Sequence, residues 1–444
     1  MNRLLEDLPI SRKQAVSIVE ADARANVWDG AIRSGKTISS ILRWQMFVAD
    51  PPPGGQLIMV GRTRDSLARN VIEPMRDPAL FGPLAYRVSY TVGAGTANIL
   101  GRRVYVLGAS DVKAEKSLRG LTVAGAYLDE ITVIQEDFFK QVLGRMSLDS
   151  SKLFGTTNPD SPNHWLKKDY LDRIRSGQLP DWRTWRFTLD DNPALSEEKK
   201  NQYKREYTGL WYRRFVLGEW VAADGAVYDS WDETRHVIAW DRLPVMQDVV
   251  AVGVDYGTTN PTSAILLGVG VDGVLYLIDE YRYQASSDAA RLTDGQLSAQ
   301  IRTWLAAQHL PPHPATGHVQ ASAPGAIVVD PAAASFRVQL REDGVLTAAA
   351  DNDVLYGIRL VSSLLGAGKL RVSTRCTGFL SEVTGYSWDS KATEQGIDAP
   401  IKVADHSLDA ARYAIATTER RWRPYIDFAA EPRPPNHDRE GVTP

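Results

Sequence analysis

The sequence predicts an α/β chain built as two successive units, and three observations carry that expectation. Short apolar runs alternate with stretches of helical periodicity from Ala25 to Leu189. A second series of apolar runs starts at Val249, with turns at Asn260-Pro261 and Asp272-Gly273 that suggest hairpins. Between the two series, Gly209 to Val245 breaks the alternation and is rich in Trp, Arg and Gly. Its aromatics need burial, so it is expected as an ordered connector and not a loose linker. The expected boundaries are 1–208, a connector over 209–247, a second unit over 248–426, and a tail over 427–444. The tail is rich in Pro, Arg and Glu, a composition that favours disorder.

Composition bounds the rest. A chain of 444 residues has room for two or three domains, each with a full core. Hydrophobic content of 43% and charged content of 24% are those of a soluble globular protein. No apolar run is long enough to span a bilayer. Met1 to Pro9 carries acids and lacks an apolar signal core, so export is not expected. The one cysteine, Cys376, excludes an intrachain disulfide and a Cys-based zinc site. The net charge of −3 neither advertises nor excludes nucleic-acid binding, which needs only a local basic surface.

In the first unit, Ala25 to Trp28 reads as a strand and Ile38 to Val48 as a helix. Between them lies Gly30-Ala31-Ile32-Arg33-Ser34-Gly35-Lys36-Thr37, which fits G-x-x-x-x-G-K-[ST]. Glycines let successive backbone N–H groups turn inward as a phosphate nest, and the helix start adds partial positive charge. Gly30, Arg33, Ser34, Gly35, Lys36 and Thr37 are therefore candidate ATP contacts, with Lys36 on the β- and γ-phosphates and Thr37 on Mg²⁺. Gln14, upstream, either reads the adenine edge or is a solvated helix residue. Gln56 to Gly61 and Arg102 to Leu107 read as further strands, with Arg62, Arg64 and Arg69 after the first. Ser117 to Gly120 reads as a short basic turn, and its Arg119 is a candidate arginine finger, with Arg33 the alternative. Val123 to Leu128 delivers Asp129-Glu130, the Walker B pattern. Asp129 would serve the Mg²⁺ shell, and Glu130 would polarise the attacking water. Lys152 to Gly155 ends in Thr156, Thr157 and Asn158, either a γ-phosphate sensor or a plain strand exit, since Asn-Pro favours a turn. A strand over Trp182 to Leu189 and a helix over Ser196 to Tyr207 complete the unit, which reads as a P-loop ATPase domain of the RecA/ASCE-like kind.

In the second unit, Val249 to Val254 ends in Asp255, Ala326 to Val329 ends in Asp330, and a helix opening around Lys402 to Tyr413 carries Asp405, His406 and Asp409. Hairpin-linked strands over Thr262 to Val269 and Val274 to Asp279, helices over Leu292 to Gln308 and Asp353 to Leu365, and a strand over Leu370 to Val372 fill in the rest. This order is the layout of an RNase H-like nuclease domain. Carboxylates gathered at one point repel unless a cation neutralises them, so Asp255, Asp330 and Asp409 imply two Mg²⁺ or Mn²⁺ ions for phosphodiester cleavage. His406 is a candidate ligand or proton carrier. The rival reading takes Asp255-Tyr256-Gly257-Thr258-Thr259 as the phosphate loop of an actin, Hsp70 or sugar-kinase fold. It lacks a second Asp-x-Gly loop, because Asp330 is followed by Pro331-Ala332.

With both constellations in view, the chain from Leu8 to Tyr413 resembles the large subunit of tailed-bacteriophage terminases. The resemblance rests on the P-loop with Arg33 inside it, Leu118-Arg119-Gly120, Asp129-Glu130, and Gly155 to Pro159 as the coupling motif. Arg213-Arg214 with Gly218-Glu219-Trp220 and the acids Asp255, Asp330 and Asp409 with His406 complete it. Asn158 to Tyr170 is most similar to the PBSX-like group, while the Gln14 region departs from the adenine motif in spelling. The resemblance implies an ATPase and endonuclease that packages double-stranded DNA into proheads. It also implies a homo-oligomeric ring, expected as a pentamer, on the portal protein, a DNA-recognising small subunit as partner, and a place in the host cytoplasm outside the mature virion. A repair helicase–nuclease would need a second RecA-like domain, for which Gly209 to Val245 is too short. A nucleotide-binding scaffold without turnover would have no use for Glu130.

Overall fold

The computed structural model describes residues 9–257, 261–284, 292–312, 317 and 320–428. The chain divides into two compact units. The first comprises Met1–Tyr203, Leu210–Ala222 and Lys391–Ile397, and the second comprises Lys204–Gly209, Ala223–Ser390 and Asp398–Pro444. The stretch expected as a single connector is thus shared between the units. Of the expected tail, residues 429–444 lie outside the described residues, as do Thr258 and Thr259 of the rival phosphate loop. No helix among the described residues is long and apolar enough to cross a membrane.

The first unit is built on a sheet of eight strands: β1 (Ala25–Gly30), β2 (Gln56–Gly61), β3 (Val88–Ser89), β4 (Thr96–Ile99), β5 (Arg102–Gly108), β6 (Val123–Leu128), β7 (Lys152–Thr157) and β8 (Trp182–Phe187). Their order is β3-β4-β5-β2-β6-β7-β1-β8. From β5 to β8 all pairs are parallel, whereas β3 and β4 add an antiparallel edge. The central strands β1 and β6 are buried along their whole length, as apolar strands covered on both faces must be. One core packs Trp28, Trp44, Phe47, Tyr127 and Phe154, and the other packs Val27, Leu128, Phe138, Phe139 and Trp182. Two helices frame the P-loop, α1 (Arg12–Glu20) and α2 (Lys36–Ala49). The short basic turn expected at Ser117 is instead the last turn of a third, α3 (Val112–Arg119). Leu118 is buried there, so an apolar anchor holds this segment in a helix.

The topology places the functional strand tips side by side. β7 lies between β1 and β6, with Trp28 opposite Thr156 and Leu128 opposite Gly155. Residues leaving β7 therefore emerge between the P-loop and Asp129-Glu130.

The second unit carries a sheet of seven strands: β9 (Val237–Ile238), β10 (Met246–Asp255), β11 (Thr262–Gly270), β12 (Leu275–Tyr283), β13 (Ile327–Val329), β14 (Ala348–Ala349) and β15 (Leu370–Ser373). The order is β14-β13-β10-β11-β12-β15-β9. β10, β11 and β12 are antiparallel neighbours, and β13 runs parallel beside β10. That pairing sets Asp255 and Asp330 at the same end of adjacent strands, and the Asp330 N–H donates to Val254 O at 3.2 Å. The last acid comes from α4 (His406–Thr417). Lys402 to Asp405, expected inside this helix, form a loop before it.

The helix α4 can approach β10 because position 253 is glycine. A Cβ at Gly253 would lie 2.0 Å from Ala410 O and 2.7 Å from Ala414 N, both backbone atoms of α4. Gly253→Ala must therefore push the helix off the sheet. We expect a loss of about 1–3 kcal/mol, read as a melting temperature lower by about 2–4 °C for each kcal/mol. An unchanged melting curve would mean that this close approach is not needed.

Candidate functional site

Two sites arise, one in each unit. In the first, β1 ends at Gly30 with φ +145°, where a Cβ would lie 2.0 Å from Phe187 O. Only glycine allows the loop to leave the sheet at this point. Gly35 closes the loop with φ +81° and precedes α2. Gln14 is 2% exposed, so it is not the solvated helix residue that one reading expected. Its Nε2 donates to Ser34 O at 2.8 Å, and its Oε1 accepts from the Ser11 N–H at 2.7 Å. The amide thus braces the loop from below, and a Cβ at Gly35 would collide with it at 1.9 Å. From the other side Asn192 donates to Arg33 O at 2.6 Å. Arg33 itself is exposed with φ +53°. Thr37, in the first turn of α2, is half-buried.

The Lys36 ammonium is buried and folded back. It donates to Ala31 O at 2.9 Å and to Asn158 Oδ1 at 2.6 Å. Burial lowers its pKa to about 8, against the pull of Glu130, Asp29 and Asp129. Asn158 in turn donates its Nδ2 to Glu130 Oε1 at 3.2 Å. One side chain from the β7 tip thereby links the P-loop lysine to the second Walker B acid. Asn158, one residue past the end of the strand, thus makes both of these side-chain hydrogen bonds.

Asp129 is 4% exposed, and burial followed by repulsion from Glu130 raises its pKa to about 6. Its Oδ1 accepts from Thr156 Oγ1 at 3.1 Å and its Oδ2 from Asn70 Nδ2 at 3.3 Å. The Glu130 N–H also donates to Thr156 Oγ1, at 3.1 Å, and Glu130 has φ +51°. Thr157 reaches Thr132 Oγ1 at 3.3 Å, just beyond the acids. Arg119 is exposed and pairs with Glu115 of its own helix, which also accepts from Gln141 at 2.9 Å.

Two residues here carried no sequence signal. Asn70 sits in a helical stretch with nothing to mark it. Asp29 lies inside the buried strand β1, where burial raises its pKa. It accepts from Trp220 Nε1 at 3.1 Å and pairs with Arg175 at 3.0 Å. Gly218 and Trp220, singled out as connector residues, thus belong to the floor of the P-loop, and Ile32 N–H donates to Phe215 O at 3.2 Å.

In the second unit, Asp255, Asp330 and Asp409 line one cavity of about 560 Å³ together with Asp405, His406, Lys402 and Tyr413. Each acid is engaged within the protein. Asp255 Oδ2 accepts from His406 Nδ1 at 2.9 Å. Asp409 Oδ1 accepts from Arg412 Nη2 at 2.8 Å, and its Oδ2 from Lys402 Nζ at 3.1 Å. Asp330 Oδ1 accepts from the Ala332 N–H at 2.9 Å. Burial raises the Asp255 pKa and the neighbouring Asp409 adds to it, while His406 opposes. The hydrogen bond to Asp255 raises the His406 pKa in return. Among the described residues, no three His, Cys, Asp or Glu side chains converge closely enough to hold a metal ion. The repulsion that was expected to demand a divalent cation is met here by His406, Lys402 and Arg412. The donor set is all-oxygen carboxylate with one imidazole, a chemistry that suits Mg²⁺ or Mn²⁺.

Comparison with known proteins bears on both sites. Residues 29–235 match the family model of the T4-like-virus-type terminase large subunit, N-terminal part. No curated protein sequence matches the chain. Among solved structures, the large terminase of the thermophilic bacteriophage D6E is 32% identical, covers 92% of this chain and 99% of its own, and superposes with a TM-score of 0.80. Its complex with ADP, at 33% identity, gives the same coverage and TM-score. Its complex with ATP-γ-S, also at 33% identity, covers 91% of this chain and 98% of its own with a TM-score of 0.77. With that identity along nearly the full length of both chains, this protein belongs to the phage terminase large-subunit family.

Proposed function

We propose that this chain is the ATP-driven motor of viral DNA packaging and the metal-dependent endonuclease that cuts the DNA. The observation that carries it is the pairing of a P-loop site and a carboxylate cleft on separate units of one chain. The likeness to the D6E enzyme, whose structures hold ADP and ATP-γ-S, supports nucleotide use by the first unit. Double-stranded DNA is the polymer moved and cut. The small subunit, the portal and a ring of copies, taken as five, are the assembly partners, in the host cytoplasm and outside the mature virion.

In the ATPase unit, an incoming triphosphate draws Lys36 away from Asn158 toward the β- and γ-phosphates. Asn158 then keeps only Glu130, so nucleotide occupancy is reported directly to the acid that polarises water. Thr37 and Asp129 would hold Mg²⁺, which neutralises phosphate charge. Arg119, freed from Glu115, is the candidate to reach a neighbouring subunit's nucleotide, with Arg33 the alternative. In the nuclease unit, Asp255, Asp330 and Asp409 would hold Mg²⁺ or Mn²⁺, which supplies an activated water and stabilises the leaving oxygen. His406 orients Asp255 and can carry a proton.

Glu130→Gln tests the ATPase assignment. The amide keeps the size of the side chain but cannot accept a proton from water. Expected are unchanged ATP binding and DNA-stimulated turnover lower by about 100-fold or more. Loss of binding, or turnover at the parent rate, would remove Glu130 from this role.

A further inference from the structure

The carboxylate cleft contains a cation of its own. Lys402 Nζ lies 3.1 Å from Asp405 Oδ2 and 3.1 Å from Asp409 Oδ2. Asp405 is 6% exposed, and the Lys402 ammonium at ion-pair distance from its Oδ2 offsets its charge. The two cations on Asp409 differ in character. Arg412 is 2% exposed, lies on α4 and holds Oδ1, so it is a fixed part of the core. Lys402 has a side chain 53% exposed and sits on the loop before α4, next to Val403, which is 72% exposed, and Ala404, which has φ +50°. A half-exposed lysine on a loop can leave at little cost, whereas a buried arginine cannot.

Resting on the metal-nuclease reading above, we propose that Lys402 is a resident counter-ion of the cleft, which a divalent ion must displace from Asp405 and Asp409 in order to load. The lysine covers the two carboxylates that a second ion would need, and it keeps them from repelling one another when no metal is bound. Asp405 thereby joins the loading site, beyond the three acids Asp255, Asp330 and Asp409 expected to hold the metal. Displacement also frees a cationic side chain at the mouth of the cleft, where a DNA phosphate would sit. The lysine thus lowers the negative charge of the metal-free centre, and an ion loads only when it can outcompete the ammonium.

Direct Mn²⁺ binding to the full chain without nucleotide, by isothermal titration, tests this. Binding lost in Asp255→Asn is assigned to the cleft. Lys402→Gln is expected to bind Mn²⁺ there about tenfold more tightly than the parent, because a positive charge has left the site. Without Mn²⁺ the same variant should melt below the parent, its carboxylates now unpaired. Equal or weaker Mn²⁺ binding in a folded Lys402→Gln overturns the proposal. Should that variant not fold, Lys402→Arg keeps a cation with a carboxylate-matching fork and must bind Mn²⁺ more weakly than the parent; equal or tighter binding overturns the proposal. If parent and Asp255→Asn bind Mn²⁺ alike, the cleft holds no metal, and both this proposal and the nuclease reading fall.

Discussion

Lys36→Ala is expected to lower ATP turnover by about 10³-fold or more. Lys36 is the buried cation of the P-loop, whereas Arg33 is exposed. Without it the nest of N–H groups still binds, but charge developing on the γ-phosphate is not met. The structure adds a second cost. Lys36 Nζ lies between Ala31 O and Asn158 Oδ1, with Glu130, Asp129 and Asp29 acting on its charge. Alanine removes the cation from this acidic cluster and leaves the Asn158 carbonyl without its donor. The variant should therefore fold, with a modestly lower melting temperature. DNA cleavage should continue, because the carboxylate cleft lies in the other unit. Turnover near the parent rate in a folded Lys36→Ala protein would remove the P-loop assignment.

Asp255→Asn is expected to abolish DNA cleavage while ATP turnover stays at the parent level. Asparagine keeps an acceptor for His406 Nδ1, so the hydrogen bond that now lies at 2.9 Å survives. What is lost is the anionic oxygen needed for a hard divalent ion. Asp409→Ala should be equally severe. His406→Ala removes only the group that orients Asp255, and it should cost about 10–100-fold, as outer-shell partners of a metal ligand do. An alanine at 255 or 409 need not stabilise the metal-free protein, although bare carboxylate repulsion argues that it should. Asp255 is answered by His406, and Asp409 by Arg412 and Lys402, so removing either acid strands a cation. Cleavage at the parent rate by Asp255→Asn would make the cleft a bystander and reopen the phosphate-loop reading of Asp255 to Thr259.

Much of this was legible in sequence wherever the signal is local. Gly30 to Thr37 has fixed spacing and the right flanks, and β1 and α2 fall beside it. β2 and β6 are apolar runs bounded by turn residues, and their limits coincide with the expected ones. Asp255 and Asp330 follow from strand ends. Contacts made across the fold were not legible. Asp29 sits inside an apolar run, and Trp220 reaches it from 191 residues away. Asn70 gives no local hint of Asp129. Lys402 reads as an ordinary charged residue until α4 is seen to begin at His406 and the preceding loop to turn back over Asp409. Gly253 is unmarked within its apolar run, and the helix lying on it explains the missing side chain. The edge strands β3 and β4 are too short to show periodicity, and α3 was hidden because its amphipathic pattern ends in Arg119-Gly120, which imitates a turn.

One chain is proposed to carry two chemically independent sites. The most direct test is a single assay of plasmid DNA with ATP, Mg²⁺ and Mn²⁺ that reads ADP release and plasmid linearisation together. It compares the parent with Lys36→Ala and Asp255→Asn. Lys36→Ala is expected to cut DNA without releasing ADP, and Asp255→Asn to release ADP without cutting. Loss of both activities in either variant, with both proteins folded, would contradict it.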